Sequence, residues 1–481
     1  MDFTDRQQDI ALANEADGEA EFLAEEIKRL RALAAPIRQL PTEILSQILG
    51  YVCSRVQFGL TTRSYPAVIA SQVCHQWRTI LLETPSMWSV PIHIELAAFP
   101  MAWRYGSSAQ THPGMRRRVW EMRQALAHYV SRSDYAPLVL RISHLSCASA
   151  YKARDVICAS IGKHSGLWSS VNLPVCIASV LPKFLDVSGA GAPMLERLHC
   201  EWCPENCYEQ ARPLPLHNSP RLRQLIVPKL QLVSCPLQQM TDIHINSWIE
   251  YDACVLDLVW ESRLSLQSLQ ISLDERGGEL ALQTALVVPK LTRLDITTDD
   301  FKIISEFCRY ITTPALTHLI LRGGFRNLPS LQGQENCILS FARGEANRLD
   351  AIHTFLQRSQ CHINRLELRS VSLSPPDLHR LLREMPFLQH LRIFDNVIQR
   401  AWNAAHHAEA DFYRGPEPYS SLTSDLFLAM AGSSQPLLPR LQSLHFKGPL
   451  YSVFEGELRD AIDCLRQSRT APPSVSLEAA R

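Results

Sequence analysis

The side chains best suited to chemistry in this sequence are four that crowd together: His199, Cys200, Cys203 and Cys207 form a His-Cys-x-x-Cys-x-x-x-Cys string. Zinc takes closely spaced thiolates and imidazoles, so the string has the look of a metal knuckle. No second Cys-x-x-Cys pair occurs in the chain to complete such a site. Cys200 and Cys203 also fall on core positions of a repeat described below, so no metal is expected. His406, His407, Glu409 and Asp411 form a second group that could gather ligands on an inserted loop, where polar residues are ordinarily just solvated. Arg116, Arg117 and Arg118 could meet a phosphate, yet three charges at a helix start usually mark a solvated face. The Gly-x-Ser-x-Gly elbow, the Walker phosphate loop, the His-Glu-x-x-His pair and the dinucleotide-binding glycines are all absent from the sequence. Without converging acid, base or nucleophile, the chain is expected to be no enzyme and to carry no cofactor.

At 481 residues the chain is too long for one ordinary core, so several modules or one elongated array must hold whatever acts. Lys and Arg together number 48, as do Asp and Glu, so no global field draws the protein toward nucleic acid or an anionic membrane. The acidic stretch from Met1 to Glu26 has no apolar segment, which speaks against a secretory signal. No run of apolar residues is long enough to span a bilayer. The 14 cysteines are scattered singly, mostly among apolar neighbours, and no Asn-x-Ser/Thr acceptor occurs, which points to the cytoplasm or the nucleus.

Residues 1–36 read as one helix, with Ala13, Ala16, Ala20, Leu23, Ile27, Leu30 and Ala34 at steps of three and four. That is a short coiled-coil seam, rich in alanine and suited to weak pairing or to docking on the next module. Pro36 breaks it. A new helix is expected from Pro41, at the first helical position, with Ile44, Leu45, Ile48, Leu49 and Val52 on one face. A loop from Cys53 to about Tyr65 follows, then one helix marked by Val68, Ile69, Val73, Trp77, Ile80 and Leu81. Pro85 ends that helix, and Met87-Trp88 supplies an aromatic plug. Three short elements make a marginal core, which suggests a module that buries part of its surface on a partner.

Leu40-Pro41, Glu43-Ile44 and Ile48, then Val73-Cys74-His75-Gln76-Trp77-Arg78, then Pro85-Ser86-Met87-Trp88 resemble an F-box over residues 37–95. The resemblance implies docking on a Skp-type adaptor and, through it, on a cullin. Carried over by position, it implies Leu40, Pro41, Ile44, Leu45, Ile48, Val73, Cys74 and Trp77 as contact or supporting residues. Residues 37–95 are expected to suffice for adaptor binding. The segment Cys53–Ser64 is longer than the family's usual turn and is similar to the version in many F-box proteins of mushroom-forming fungi.

Beyond residue 190 the sequence repeats. Pro193-Met-Leu-Glu-Arg-Leu-His-Cys200 recurs from Pro220, Pro289, Pro314, Pro386 and Pro439, with weaker copies at Met240–Ile245, Leu266–Ile271 and Ile363–Leu368. Most starts lie one unit of about 25 residues apart or two such units, within the leucine-rich-repeat range. The copy at Leu388 runs on through Asn396 and Ile398, and Cys203 takes the equivalent position after Leu195, Leu198 and Cys200. Each unit should give one short strand with alternate Leu or Ile turned inward, stacking into a solenoid with helical returns such as Pro375–Arg383. Ahead of the repeat, residues 96–190 are expected to link and lead into it through a helix at Trp120–Ser133 and strands at Pro137–Ile142 and Leu167–Leu173.

The expected fold is therefore α/β: a small all-helical F-box at 37–95 followed at 191–468 by an irregular leucine-rich-repeat solenoid of parallel strands with helical or irregular returns. Arg400–Pro439 reads as an inserted loop plus helix, and 469–481 as a disordered tail. The side chains between the inward leucines should line a solvent-facing concave surface. These are Arg197, His199, Arg293, Asp295, Arg365, Glu367, His390, Arg392 and His445, a mixed-sign surface suited to a protein target. The resulting expectation is the substrate-recognition subunit of a Skp-cullin-F-box ubiquitin ligase. A repeat scaffold that binds a partner without any ligase is the alternative.

Overall fold

The computed structural model describes residues 17–30, 36–59, 63–95, 113–143, 151–185, 191–201, 213–250, 253–274, 286–298, 301–323, 339–340, 347–373, 375–394, 424–432, 436–448, 455–469 and 472–479. Cys203, Cys207, Asn396, Ile398 and the group His406, His407, Glu409 and Asp411 lie outside the described residues. Two compact units hold the rest, one with the described residues up to Val139 and the other with those from Leu140 on.

In the first unit, residues 17–30 are helical, and Leu23, Ile27 and Leu30 of the expected seam are exposed along it. The next helix is Thr42–Val52, with Pro41 just outside it as the N-cap, one position earlier than expected. Leu45 and Leu49, one turn apart, are fully buried there, while Ile44 and Val52 on the adjoining stripe are exposed. The expected loop after Cys53 is instead a strand, Val56–Gly59, paired in parallel with Ile92–Glu95 and antiparallel with Arg63–Ser64. Val56 and Phe58 alternate into the core beside Ile92 and Ile94. The partner strand lies well downstream, so local reading missed the pairing. The single helix expected after Tyr65 is two, Pro66–Ala70 and His75–Glu83. Ser71 Oγ bonds back to the Val68 carbonyl at 2.7 Å and Arg78 Nε to the Ser71 carbonyl at 2.9 Å, which closes the turn between them.

A long helix, Pro113–Arg132, completes this unit. Its Tyr129 ring packs edge-on to Phe58 at 5.5 Å and to Trp88 at 5.2 Å, and all three rings are buried. Trp88 does plug the core: its Nε1 donates to the Leu81 carbonyl at 2.7 Å. The phenol of Tyr129 faces the backbone of Ala67 and Val68 without a well-formed hydrogen bond, and burial pushes its pKa upward.

The second unit is built on a parallel sheet whose strand order follows the chain: Trp168–Pro174, Arg197–Glu201, Gln224–Val227, Asp242–Glu250, Ser268–Asp274, Arg293–Thr298, His318–Gly323, Arg365–Arg369, His390–Phe394, Ser443–Gly448 and Ser474–Ala479. Every expected repeat copy supplies one of these strands. The first leucine position of each copy, Leu195, Leu222, Met240, Leu266, Leu291, Leu316, Ile363, Leu388 and Leu441, is buried. So are the alternate strand residues, from Leu198 and Cys200 to Leu444 and Phe446. Truncating one such leucine to Ala should cost roughly 2–5 kcal/mol.

A backbone ladder fixes the register. The carbonyl of the residue before each strand accepts two N–H groups from the next copy, as Thr292 does from Thr317 and His318 at 3.0 and 2.9 Å. The same pairing recurs at Arg223, Thr241, Gln267, Thr317, Asn364 and Gln389. It also settles the long intervals. Thr317 bonds directly to Asn364, and Gln389 to Gln442, so across each long interval the two flanking strands are direct neighbours in the sheet.

The returns are mostly helical: Ala253–Ser262, Phe301–Tyr310, Asn347–Ser359, Pro375–Arg383, Ser424–Ala431 and Glu455–Gln467. Arg358 ties two of them together, donating to the Cys308 carbonyl at 2.6 Å and to Thr312 Oγ1 at 2.9 Å, which satisfies the end of the preceding helix. The segment expected to be a disordered tail instead gives the strand Ser474–Ala479, paired in parallel with Ser443–Gly448. No helix among the described residues is long and apolar enough to cross a membrane.

Candidate functional site

Two surfaces present the residues singled out above, one on each unit. On the first, the helices Thr42–Val52, Pro66–Ala70 and His75–Glu83 bury Leu45, Leu49, Ala67, Ala70, Ile80 and Leu81. That small core cannot cover every apolar residue. Ile44 is 43% exposed and Val73 55%, and Tyr51, Val52, Ile69 and Leu82 are exposed as well. Of the predicted adaptor residues, Pro41, Ile44 and Val73 are therefore at the surface, and Leu40, Ile48, Cys74 and Trp77 are half-buried. Leu45 is fully buried and can only support the others. Tyr51, Ile69 and Leu82 were missed as surface candidates. Helical spacing was their signal, since Ile44, Ile48 and Tyr51 lie on one stripe beside the buried one.

Residues 37–91 match the F-box-like family model. Among curated proteins none matches the chain. The match covers the helices just described together with the Trp88 plug, and an F-box-like domain implies a Skp-type partner in general.

On the second unit, strand register collects the predicted target residues into two rows. One row reads Arg197, Gln224, Asp242, Ser268, Arg293, His318, Arg365, His390, Ser443. The next, two residues further along each strand, reads His199, Ile226, His244, Gln270, Asp295, Ile320, Glu367, Arg392, His445. All nine predicted residues thus stand on one sheet face.

Not all of them meet solvent. Asp295 and Glu367 are buried, 0% and 2% exposed, so the expectation that they are free to touch a target is corrected. Both are covered by arginines. Arg322 donates to both oxygens of Asp295 at 2.9 and 2.8 Å, and Arg293 lies 3.6 Å away. Glu367 is bonded by Arg369 and flanked by Arg365 and Arg392. Arg322 and Arg369 belong to a third row, two residues further along the same alternation. In that row Arg369 lies over the ring of Phe394, which in turn meets His445 at 5.3 Å.

Burial, then the charges of Arg365, Arg293 and His390, hold His318 below the usual imidazole range. Burial does the same for His199 and His244. His318 Nδ1 hydrogen-bonds Thr317 Oγ1 at 2.8 Å, and His390 Nδ1 meets Ser443 Oγ at 2.7 Å. Cys200, from the candidate zinc string, is a buried strand residue whose thiol is pushed up to about 12 by burial. Among the described residues no group of three or more His, Cys, Asp or Glu side chains is placed to hold a metal. A shallow cleft between His353, Arg380, Leu381 and Glu384 has room for about 10 Å³, the space of one water.

Proposed function

We propose that this chain is the substrate-recognition subunit of a Skp-cullin-F-box ubiquitin ligase. The F-box-like helices take the adaptor, and through it the cullin. The parallel-sheet unit is read as an irregular leucine-rich-repeat solenoid that presents a target protein with Arg197, His199, Arg293, Arg365, His390, Arg392 and His445. Asp295 and Glu367 organise that surface from beneath.

One observation carries this reading: the F-box-like match falls on helices whose core is closed while Ile44, Tyr51, Ile69 and Val73 stay exposed. Apolar side chains left out on so small a module are what a partner would cover. The free cysteines, several of them buried, accord with a cytoplasmic or nuclear location.

The test is co-expression of the full chain with a Skp-type adaptor and a cullin. Wild type should co-purify with both. Ile44→Asp should lose the adaptor while keeping its helical signal and melting temperature, because Ile44 is outside the core. Adaptor retained at wild-type levels by a folded Ile44→Asp chain would defeat the assignment.

A further inference from the structure

On the sheet face from Arg293–Thr298 to His390–Phe394, five arginines stand against two carboxylates. Arg322 occupies both oxygens of Asp295, and Arg369 bonds Glu367. Arg293, Arg365 and Arg392 reach those same carboxylates only at 3.6, 3.9 and 4.0 Å, beyond hydrogen-bond range. None of these three makes a side-chain hydrogen bond among the described residues, although their side chains are 45%, 34% and 45% exposed. Each guanidinium offers five N–H donors in a planar fork shaped for an oxyanion. The surplus is local. Further along the same face stand Asp242 and Glu201, so the cationic stretch is bounded on that side.

We propose that Arg293, Arg365 and Arg392 bind an acidic segment of a partner protein, through Asp and Glu side chains and with no phosphate required. This deepens the target-binding reading above and rests on it. Adjacent strands lie about 4.8 Å apart, so the stretch from the Arg293 strand to the Arg392 strand covers about 14 Å, roughly four or five extended residues. Two or three acidic side chains in such a segment would meet the three guanidinium groups. A nucleic-acid strand fits less well, because its charge would run on past Asp242 and Glu201, which bound the patch on one side, in a chain with 48 basic and 48 acidic residues. His318 lies between Arg293 and Arg365 in the same row, and burial first, then the charge of those arginines, holds it below the usual imidazole range.

The full chain, co-purified with its adaptor, is titrated in low salt against a fluorescent peptide alternating Glu and Gly, about ten residues long. The comparison probes are the same peptide with Gln for Glu, with phosphoserine for Glu, and a single-stranded oligonucleotide of similar length. The Glu peptide should bind and the Gln peptide should not, with affinity falling as salt rises. Arg365→Gln with Arg392→Gln should weaken binding about tenfold. The double Lys variant should retain most of it, and Arg309→Gln, exposed on the Phe301–Tyr310 helix, should change nothing.

Equal binding of the Gln peptide, binding of the phosphoserine peptide alone, or tighter binding of the oligonucleotide would each overturn the inference. A ubiquitylation target identified by comparing wild type with Ile44→Asp separates the two claims. If Arg365→Glu with Arg392→Glu abolishes its capture while no Glu peptide binds, the acidic-ligand inference fails and the target-face reading stands. If its capture is unaffected, the target-face reading itself fails.

Discussion

Arg322 reaches diagonally from the strand beside Asp295 and caps both of its carboxylate oxygens, at 2.9 and 2.8 Å, on a residue with no solvent exposure. Two charges removed from water gain stability only when well paired, and removing one partner strands the other. Asp295→Asn should therefore cost roughly 3–5 kcal/mol, seen as a lower apparent melting temperature. Replacing both partners with apolar residues, Asp295→Leu with Arg322→Met, should recover much of that loss. An Asp295→Asn chain that melts with wild type would show that the pair organises nothing.

The aromatic contacts of Tyr129 extend the core of the first unit beyond the F-box-like segment. Phe58 and Trp88 pack on a helix that begins at Pro113, so a fragment of residues 37–95 leaves two large aromatic faces in water. A fragment of residues 36–139 should show a cooperative thermal transition, and the shorter one a broad or absent transition. Trp88→Ala in the longer fragment should cost roughly 3–5 kcal/mol. If 37–95 alone melts as sharply as 36–139, the helix is dispensable to that core.

Cysteine chemistry should follow burial. Cys200 and Cys308 are buried, and burial pushes their thiols up to about 12, so almost none of either is thiolate at pH 8. Cys464 is exposed. Brief iodoacetamide treatment followed by peptide mass spectrometry should find Cys464 alkylated and Cys200 and Cys308 untouched until the chain is unfolded.

Acid should weaken the second unit through its histidines. Burial holds His318, His244 and His199 below their unfolded value of about 6.5. Once the pH falls below that value the unfolded chain binds protons that the folded chain refuses, so stability is lost as pH drops from about 6.5 toward the folded values. The melting temperature should fall between about pH 7.5 and about pH 5.5, and His318→Gln should make that fall shallower. An unchanged slope in the variant would remove His318 from the account.

The sequence by itself determined the periodic parts. Leucine spacing located every repeat strand from Arg197 to Gly448 and the Pro375–Arg383 return, because a period of two or of about 3.6 is written in local order. The ordered Leu40-Pro41, Val73–Arg78 and Met87-Trp88 blocks marked the F-box-like segment. Tertiary structure decided whatever depends on a distant partner. Val56–Gly59 became a strand because Ile92–Glu95 lies beside it, and Ser474–Ala479 because the edge of Ser443–Gly448 was open to pair. Register likewise turned Asp295 and Glu367 from candidate contacts into buried anchors. Alternation says which way a side chain leaves its strand, but only the arginines arriving from neighbouring strands fix whether it ends in water or beneath them.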